Sequence, residues 1–331
     1  EIDFTPGGPQ FGSSTVGTTC AARDPHLHVV WWMCTGARDS TALGQMAASA
    51  TAASFGPLVE AAELSASLDT VEPVLLDIRN EGYEKGHADG ALFAPYRMFR
   101  GPAENPGGLV DVEKLEAELE ELGLEQDTPI VILSEGKTDT DFGSAARVYW
   151  TLKSTGFTDL SILNGGLESW KAAGLPVNAT AESAFPSELE LTFDDTWLAT
   201  TADVSAVAAG ESNALLVDAR PADFFNGKKA HEAASRPGTL PTAINHTYTA
   251  FFKEGSPAMS TAIDPAALKA SLGVEDGKDT VSFCNTGHWA AAHWFAVSEV
   301  AGVENAKLYA GSMVEYSQSG NEMANTPGLV Q

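Results

Sequence analysis

Cysteine is scarce in this chain. There are three in 331 residues, Cys20, Cys34 and Cys284. That count excludes a disulfide framework, and no CxxC spacing offers a metal site. A Cys20–Cys34 pair would require an oxidising compartment. Basic residues are scarce as well, 19 against 45 acids, for a formal net charge of −26. Nucleic-acid affinity comes largely from Lys and Arg on phosphates, so a nucleic-acid partner is excluded. A surface this acidic favours solubility and suits a saline setting. Long apolar runs are missing too. A helical membrane span needs about 20 apolar residues in a row, and none occurs.

What remains is ample for a folded interior, with 44% of residues hydrophobic and 8% aromatic. At about 150 residues per domain, the length suggests two domains. Residues 1–54 differ from the rest in being rich in Gly, Thr, Ser and Ala. Ala50-Thr51-Ala52 has the small-x-small form that signal peptidases cut, although no proper apolar core precedes it. The segment reads as a disordered leader or the remnant of a signal region, which leans towards a periplasmic or secreted protein and otherwise a cytoplasmic one. His26 and His28 there read as isolated tail residues.

The remainder reads as a duplication. "VLLDIR" (74–79) matches "LLVDAR" (215–220), with Asp77 and Asp218 lying 141 positions apart. "PIVILS" (129–134) matches "DTVSFC" (279–284). Each precedes a helical segment, then a short strand, "LSILNGG" or "AKLYAGS". The short apolar runs suit buried parallel strands. Ordered offsets of nearly constant size imply two copies of one α/β unit. Other signals agree: Val112, Leu115, Leu119 and Leu122 form one helical face ending at Gly123. Asp264-Pro265 begins another helix that Gly273 stops. Proline and small polar residues in "GLPVNATAESAFPSELE" (174–190) mark a connection between the copies. The expected organisation is a first domain over 55–178, a linker over 179–190 and a second domain over 191–331.

These residues resemble the tandem rhodanese-like sulfurtransferases of the thiosulfate type. The likeness rests on "LLDIRNEGYEKGHADGALF" (75–93), on "ILNGGLESWKAAGLPV" (162–177) and on "FCNTGHWAA" (283–291), which takes the place of the catalytic loop. It implies an α/β fold of two rhodanese-like domains, each a mostly parallel sheet flanked by helices. The implied reaction moves a sulfane sulfur through a cysteine persulfide, with no cofactor. The implied partners are a small anionic sulfur donor and a thiol or cyanide-like acceptor, and the expected state is a monomer. Ser134 stands in the first copy where Cys284 stands in the second, so the first copy is expected to be non-catalytic. The second copy departs from the family pattern at "RPGTLPTAIN" (236–245). Its loop also lacks the basic residues of thiosulfate enzymes and the Cys-Gly-rich loop of mercaptopyruvate enzymes.

Free thiols ionise near pH 8.5, more readily beside cations or helix N-termini, and the thiolate is the nucleophile. Cys284 is therefore the candidate catalytic residue, placed between a strand and a helix. Amides of Asn285, Thr286, Gly287, His288, Trp289 and Ala290 are expected to curl around the sulfur, with Gly287 supplying a left-handed turn. His288 is a candidate cation or proton donor, and Trp289 either packs or walls the pocket. Arg220, Lys228, Lys229 and Arg236 gather four of the 19 bases in one short stretch. Arg220 and Arg236 are the expected anion ligands, and a solvated loop is an equal reading for the two lysines. Asp218 reads as structural. Cys284, His288 and His293 make a poor zinc site, and no metal is expected. A phosphatase of this fold would need Arg six positions after the cysteine, where Ala290 stands. A non-catalytic module that binds sulfur or a partner is the competing reading.

Overall fold

The computed structural model describes residues 54–327; the expectations for the leader, including Cys20, Cys34, His26 and His28, lie outside that range. In chain order the first repeat contains β1 (Leu58–Val59), α1 (Ala61–Val71), β2 (Val74–Asp77), β3 (His87–Ala88) and β4 (Leu92–Phe93). It continues with α2 (Val112–Glu121), β5 (Ile130–Leu133), α3 (Asp139–Ser154), β6 (Leu160–Leu163), α4 (Gly166–Ala172) and β7 (Val177–Asn178). The second repeat contains α5 (Thr201–Ala208), β8 (Leu215–Asp218), α6 (Ala222–Phe225), β9 (Ile244–Asn245) and α7 (Pro265–Leu272). It closes with β10 (Thr280–Phe283), α8 (Trp289–Phe295), β11 (Ala306–Leu308) and α9 (Ser312–Gln318).

The apolar tetrads VLLD, IVIL, LLVD and TVSF become central parallel strands because helices cover both faces of each sheet. Parallel neighbours need crossover connections, and helices supply them. The first sheet runs β1-β6-β5-β2-β4 and the second β11-β10-β8-β9, all parallel. In the second repeat a single parallel bridge, Leu198 to Leu308, replaces the β1–β6 pairing. Likewise the antiparallel β3–β7 pair is reduced to a Thr239–Ala324 bridge. Helix starts follow their caps. The Asp111 carboxylate accepts the Lys114 amide, Thr138 and Thr200 open capping boxes with Asp141 and Asp203, and Asp264 caps α7.

Helices α3 and α8 form the seam between the repeats. Phe142 and Tyr149 on α3 meet Phe295 edge-on at 5.5 and 5.0 Å between ring centres. One hydrophobic cluster therefore runs through both repeats. The seam brings the start of α3 against the loop between β10 and α8, which carries the candidate nucleophile. Among the described residues no helix is long and apolar enough to cross a membrane.

Candidate active site

Cys284 follows β10 directly and is 1% exposed. Its backbone is pinned from α9: Met313 N–H donates to the Cys284 carbonyl at 3.1 Å and Val314 N–H to the Asn285 carbonyl at 3.0 Å. Ser312 Oγ accepts the amides of Cys284, at 3.0 Å, and Gly287, at 3.2 Å, while donating to the Tyr309 carbonyl at 2.8 Å. Ser312 takes a left-handed conformation to do so, φ 52°. Its first-repeat counterpart is Gly166, φ 57°, beside the matching bond from Leu167 N–H to the Ser134 carbonyl. Ser134 and Cys284 thus occupy one position on one scaffold. Gly287 supplies the expected left-handed turn, φ 69°, where a side chain would collide with the Ala310 carbonyl. No acceptor among the described residues takes the amides of Asn285, Thr286 or His288. Those donors are free to serve a sulfur or an anion, as backbone nests do.

The basic residues singled out in the second repeat have other work. Arg220 is 2% exposed and lies on buried Asp218: Nε donates to Oδ1 at 2.9 Å and Nη2 to Oδ2 at 2.6 Å. Nη2 also donates to the Gly238 carbonyl and Nη1 to Asn285 Oδ1 at 3.3 Å, while Thr239 Oγ1 donates to Asp218. Arg220 is therefore neutralised by Asp218 and reaches the loop only through Asn285. The Arg236 guanidinium binds the carbonyls of Ser317 and Asn321 in the C-terminal segment. Lys228 and Lys229 are exposed and face Asp223, as a solvated loop would. Asp218 is structural, as read. In the first repeat Arg79 holds Asp77 in the same way, but its Nη1 meets Glu135. The neutral Asn285 stands where Glu135 does, so no carboxylate directly follows the cysteine.

His288 is not a cation. Its Nε2 faces the Thr140 carbonyl at 2.8 Å, which can only accept, so Nε2 carries the proton. Nδ1 then accepts from Tyr96 Oη at 3.0 Å. Burial, aided by the Arg100 charge, pushes His288 down to about 4, leaving it neutral near pH 7. Trp289 Nε1 donates to Thr140 Oγ1 at 2.9 Å, and its ring stacks on Tyr248 at 5.3 Å. These two residues dock the loop onto α3. His293 points elsewhere, bonding Ser282 Oγ and His246, so it does not join Cys284 and His288 around a metal.

Four residues that the sequence reading missed complete the site. Ser312 is one; the others, Tyr96, Arg100 and Arg147, come from the first repeat. Arg100 Nη1 donates to Tyr96 Oη at 2.8 Å and Nη2 to the Thr286 carbonyl at 2.9 Å. Arg147, 1% exposed on α3, donates from Nη2 to the carbonyls of Gly107 and Gly108 at 3.0 and 2.8 Å. Its Nη1 lies 2.6 Å from where a Gly287 β-carbon would stand. Burial, and then the Arg100 charge, pushes its guanidinium down to about 9. Gly107 and Gly143 permit this approach. A β-carbon on Gly107 would lie 2.9 Å from the Thr286 carbonyl carbon, and one on Gly143 2.9 Å from the His288 ring. The sequence signal for Arg147 is a lone charge among apolar neighbours, Phe142, Ala145, Ala146, Val148 and Tyr149.

Comparisons with known proteins fit this geometry. The Rhodanese-like domain family matches twice, over residues 60–173 and 201–319. A putative thiosulfate sulfurtransferase of Mycolicibacterium smegmatis is 29% identical over 250 residues, covering 73% of this chain and 87% of the relative. A 3-mercaptopyruvate sulfurtransferase of Escherichia coli is 30% identical over 236 residues, covering 71% and 81%. The crystal structure of SseA from Escherichia coli superposes with TM-score 0.66 at 27% identity, over 78% of this chain and 99% of that one. Tum1 of Saccharomyces cerevisiae, TM-score 0.70 at 18% identity over 82% and 99%, shares the fold.

Proposed function

The chain belongs to the rhodanese-like family of sulfurtransferases, with two copies of its domain, and on that premise we propose that it takes a sulfane sulfur from thiosulfate onto Cys284. The observation that carries this reading is the contrast between copies. The same strand, loop and helix hold Ser134 in one and Cys284 in the other, and the Cys284 loop keeps amides free. A serine oxygen cannot store a sulfane sulfur, so the second copy is the working one and the first a support.

The thiolate of Cys284 attacks the outer sulfur of thiosulfate. The new Cys284 S–S bond forms as the donor S–S bond breaks, and its electron pair leaves on sulfite. A thiolate or cyanide then attacks the outer persulfide sulfur. The Cys284 thiolate returns, with the sulfur carried off as a persulfide or thiocyanate. No oxidant, cofactor or metal enters the balance. The amides of Asn285, Thr286 and His288 stabilise the anionic sulfur in both resting and loaded states. Neutral His288 and Trp289 hold the loop and do not move protons.

The loop carries neither the basic residues of thiosulfate enzymes nor the Cys-Gly-rich form of mercaptopyruvate enzymes, and thiosulfate is taken as the donor on the likeness to the putative thiosulfate sulfurtransferase of Mycolicibacterium smegmatis. The periplasmic or secreted location belongs to the same proposal, and there Cys284 would need a reducing or sulfur-rich niche. The test is steady-state thiocyanate production from cyanide with each donor. A persulfide route gives parallel double-reciprocal lines, the ping-pong pattern, with thiosulfate. Turnover with 3-mercaptopyruvate alone would overturn the donor assignment. No turnover with either would favour a non-catalytic sulfur- or partner-binding module.

A further inference from the structure

We propose that Arg147, with Arg100 beside it, is the anion subsite of the Cys284 loop, supplied by the repeat that has no cysteine. The inference rests on the sulfur-transfer reading and identifies where the donor's sulfonate end, and the sulfite it becomes, is held. The Cys284 loop itself carries no Lys or Arg, and Arg220 is neutralised by Asp218. Arg147 has the opposite character. It is 1% exposed, its Nε and Nη1 have no hydrogen-bond partner, and Nη1 faces Gly287. Among the described residues no carboxylate pairs with it; its hydrogen bonds go to the carbonyls of Gly107 and Gly108, and its guanidinium carbon lies 5.2 Å from the Trp150 ring centre. Burying an unpaired guanidinium is costly, and an arriving anion recovers that cost. Arg100 adds a second charge where it grips the Thr286 carbonyl.

The duplication supports the assignment. Gly156 follows the end of α3, and Gly302 follows the wider helical turn Ala296–Val300 that continues α8; the two glycines are 146 positions apart. The same offset pairs Arg147 with His293, whose ring stays within its own repeat on Ser282 and His246. Only the helix facing the cysteine loop carries the cation. Beside Ser134 stands Glu135, whereas beside Cys284 stands Asn285. Both differences favour an anion beside Cys284 over one beside Ser134. The free Nη1 that faces Gly287 offers N–H groups to an oxygen of a sulfonate or sulfite, as a charge-assisted bond. Binding the leaving sulfite there favours S–S cleavage, since its charge grows as the bond breaks.

The test uses sulfite as probe, titrated calorimetrically into the full chain carrying Cys284→Ser, so that no sulfur transfer intervenes. Adding Arg147→Met should weaken sulfite at least about tenfold, the scale of one charged hydrogen-bond pair, and Arg147→Lys should lie between. With Cys284 restored, Arg147→Met should raise the thiosulfate KM by a similar factor while a saturating donor still loads the persulfide. Unchanged sulfite affinity in folded Arg147→Met, or an unchanged kcat/KM for thiosulfate, would overturn the subsite. If Arg147→Met does not fold, Arg100→Gln carries the same comparison, with a several-fold weakening expected and no change overturning the idea. Sulfite binding through Arg147 in a chain that takes no sulfur from thiosulfate would refute the proposed function and keep the subsite. Normal sulfur loading with unaltered sulfite affinity would do the reverse.

Discussion

Removing the Ser312 hydroxyl is the sharpest probe of how the Cys284 loop is built. Its oxygen is the acceptor for the Cys284 and Gly287 amides, at 3.0 and 3.2 Å, and its hydrogen goes to the Tyr309 carbonyl. Ser312 is fully buried, so no water replaces the bonds in Ser312→Ala. Each stranded buried amide costs about 1–3 kcal/mol, so the two put the loss at roughly 2–6 kcal/mol. Ser312→Gly strands the same amides but relieves the left-handed backbone at φ 52°, a gain of about 1 kcal/mol. The expected order of stability is Ser, then Gly, then Ala, read from urea unfolding midpoints at constant slope. Thiocyanate production should fall at least about tenfold in both variants, because a loosened loop misplaces the sulfur cradle. Both variants matching the parent within about 0.5 kcal/mol, with full activity, would refute the role given to Ser312.

Arg220→Met should lower stability by about 3–5 kcal/mol, because it strands the buried Asp218 carboxylate, without changing the thiosulfate KM of the folded fraction. A raised KM at normal stability would restore Arg220 as an anion ligand. His293 is pushed down to about 3 by burial and then by His246, so between that value and about 6.5 the unfolded chain binds the extra proton. Stability should therefore fall as pH drops, by about 2 kcal/mol from pH 7 to 5 for His293, with neutral His288 adding in the same direction. Urea midpoints at both pH values, with His293→Gln showing a shallower loss, check this; a flat profile would contradict it. Gly143→Ala would normally stabilise a helix by about 1 kcal/mol. Here its β-carbon meets the His288 ring at 2.9 Å and the His288 carbonyl oxygen at 3.0 Å. Reduced kcat is expected, and full activity would show that the loop does not rest on α3.

Much of this architecture is legible along the chain because it is written twice. The tetrads at 74–77 and 215–218, and those at 130–133 and 280–283, are short, largely apolar runs that signal buried parallel strands wherever they recur. That Cys284 and Ser134 share one position was legible for the same reason, since each directly follows the matching strand. The cations were not. Arg220 and Arg236 looked available because clustering along the chain says nothing about partners; Asp218 and the carbonyls of Ser317 and Asn321 had already taken them. Arg147 precedes Cys284 by 137 positions, in the other repeat, and only the α3–α8 seam joins them. His288 looked like a cation because its titration depends on burial under Tyr96 and Thr140, which no local pattern reveals.

The central claim is that Cys284 accepts a sulfur atom and Ser134 does not. Intact mass after incubation with thiosulfate and removal of excess donor tests it most directly. The expected result is a gain of one sulfur atom in the parent chain, released by cyanide and absent in Cys284→Ser. No gain in the parent, or an equal gain in Cys284→Ser, would contradict it.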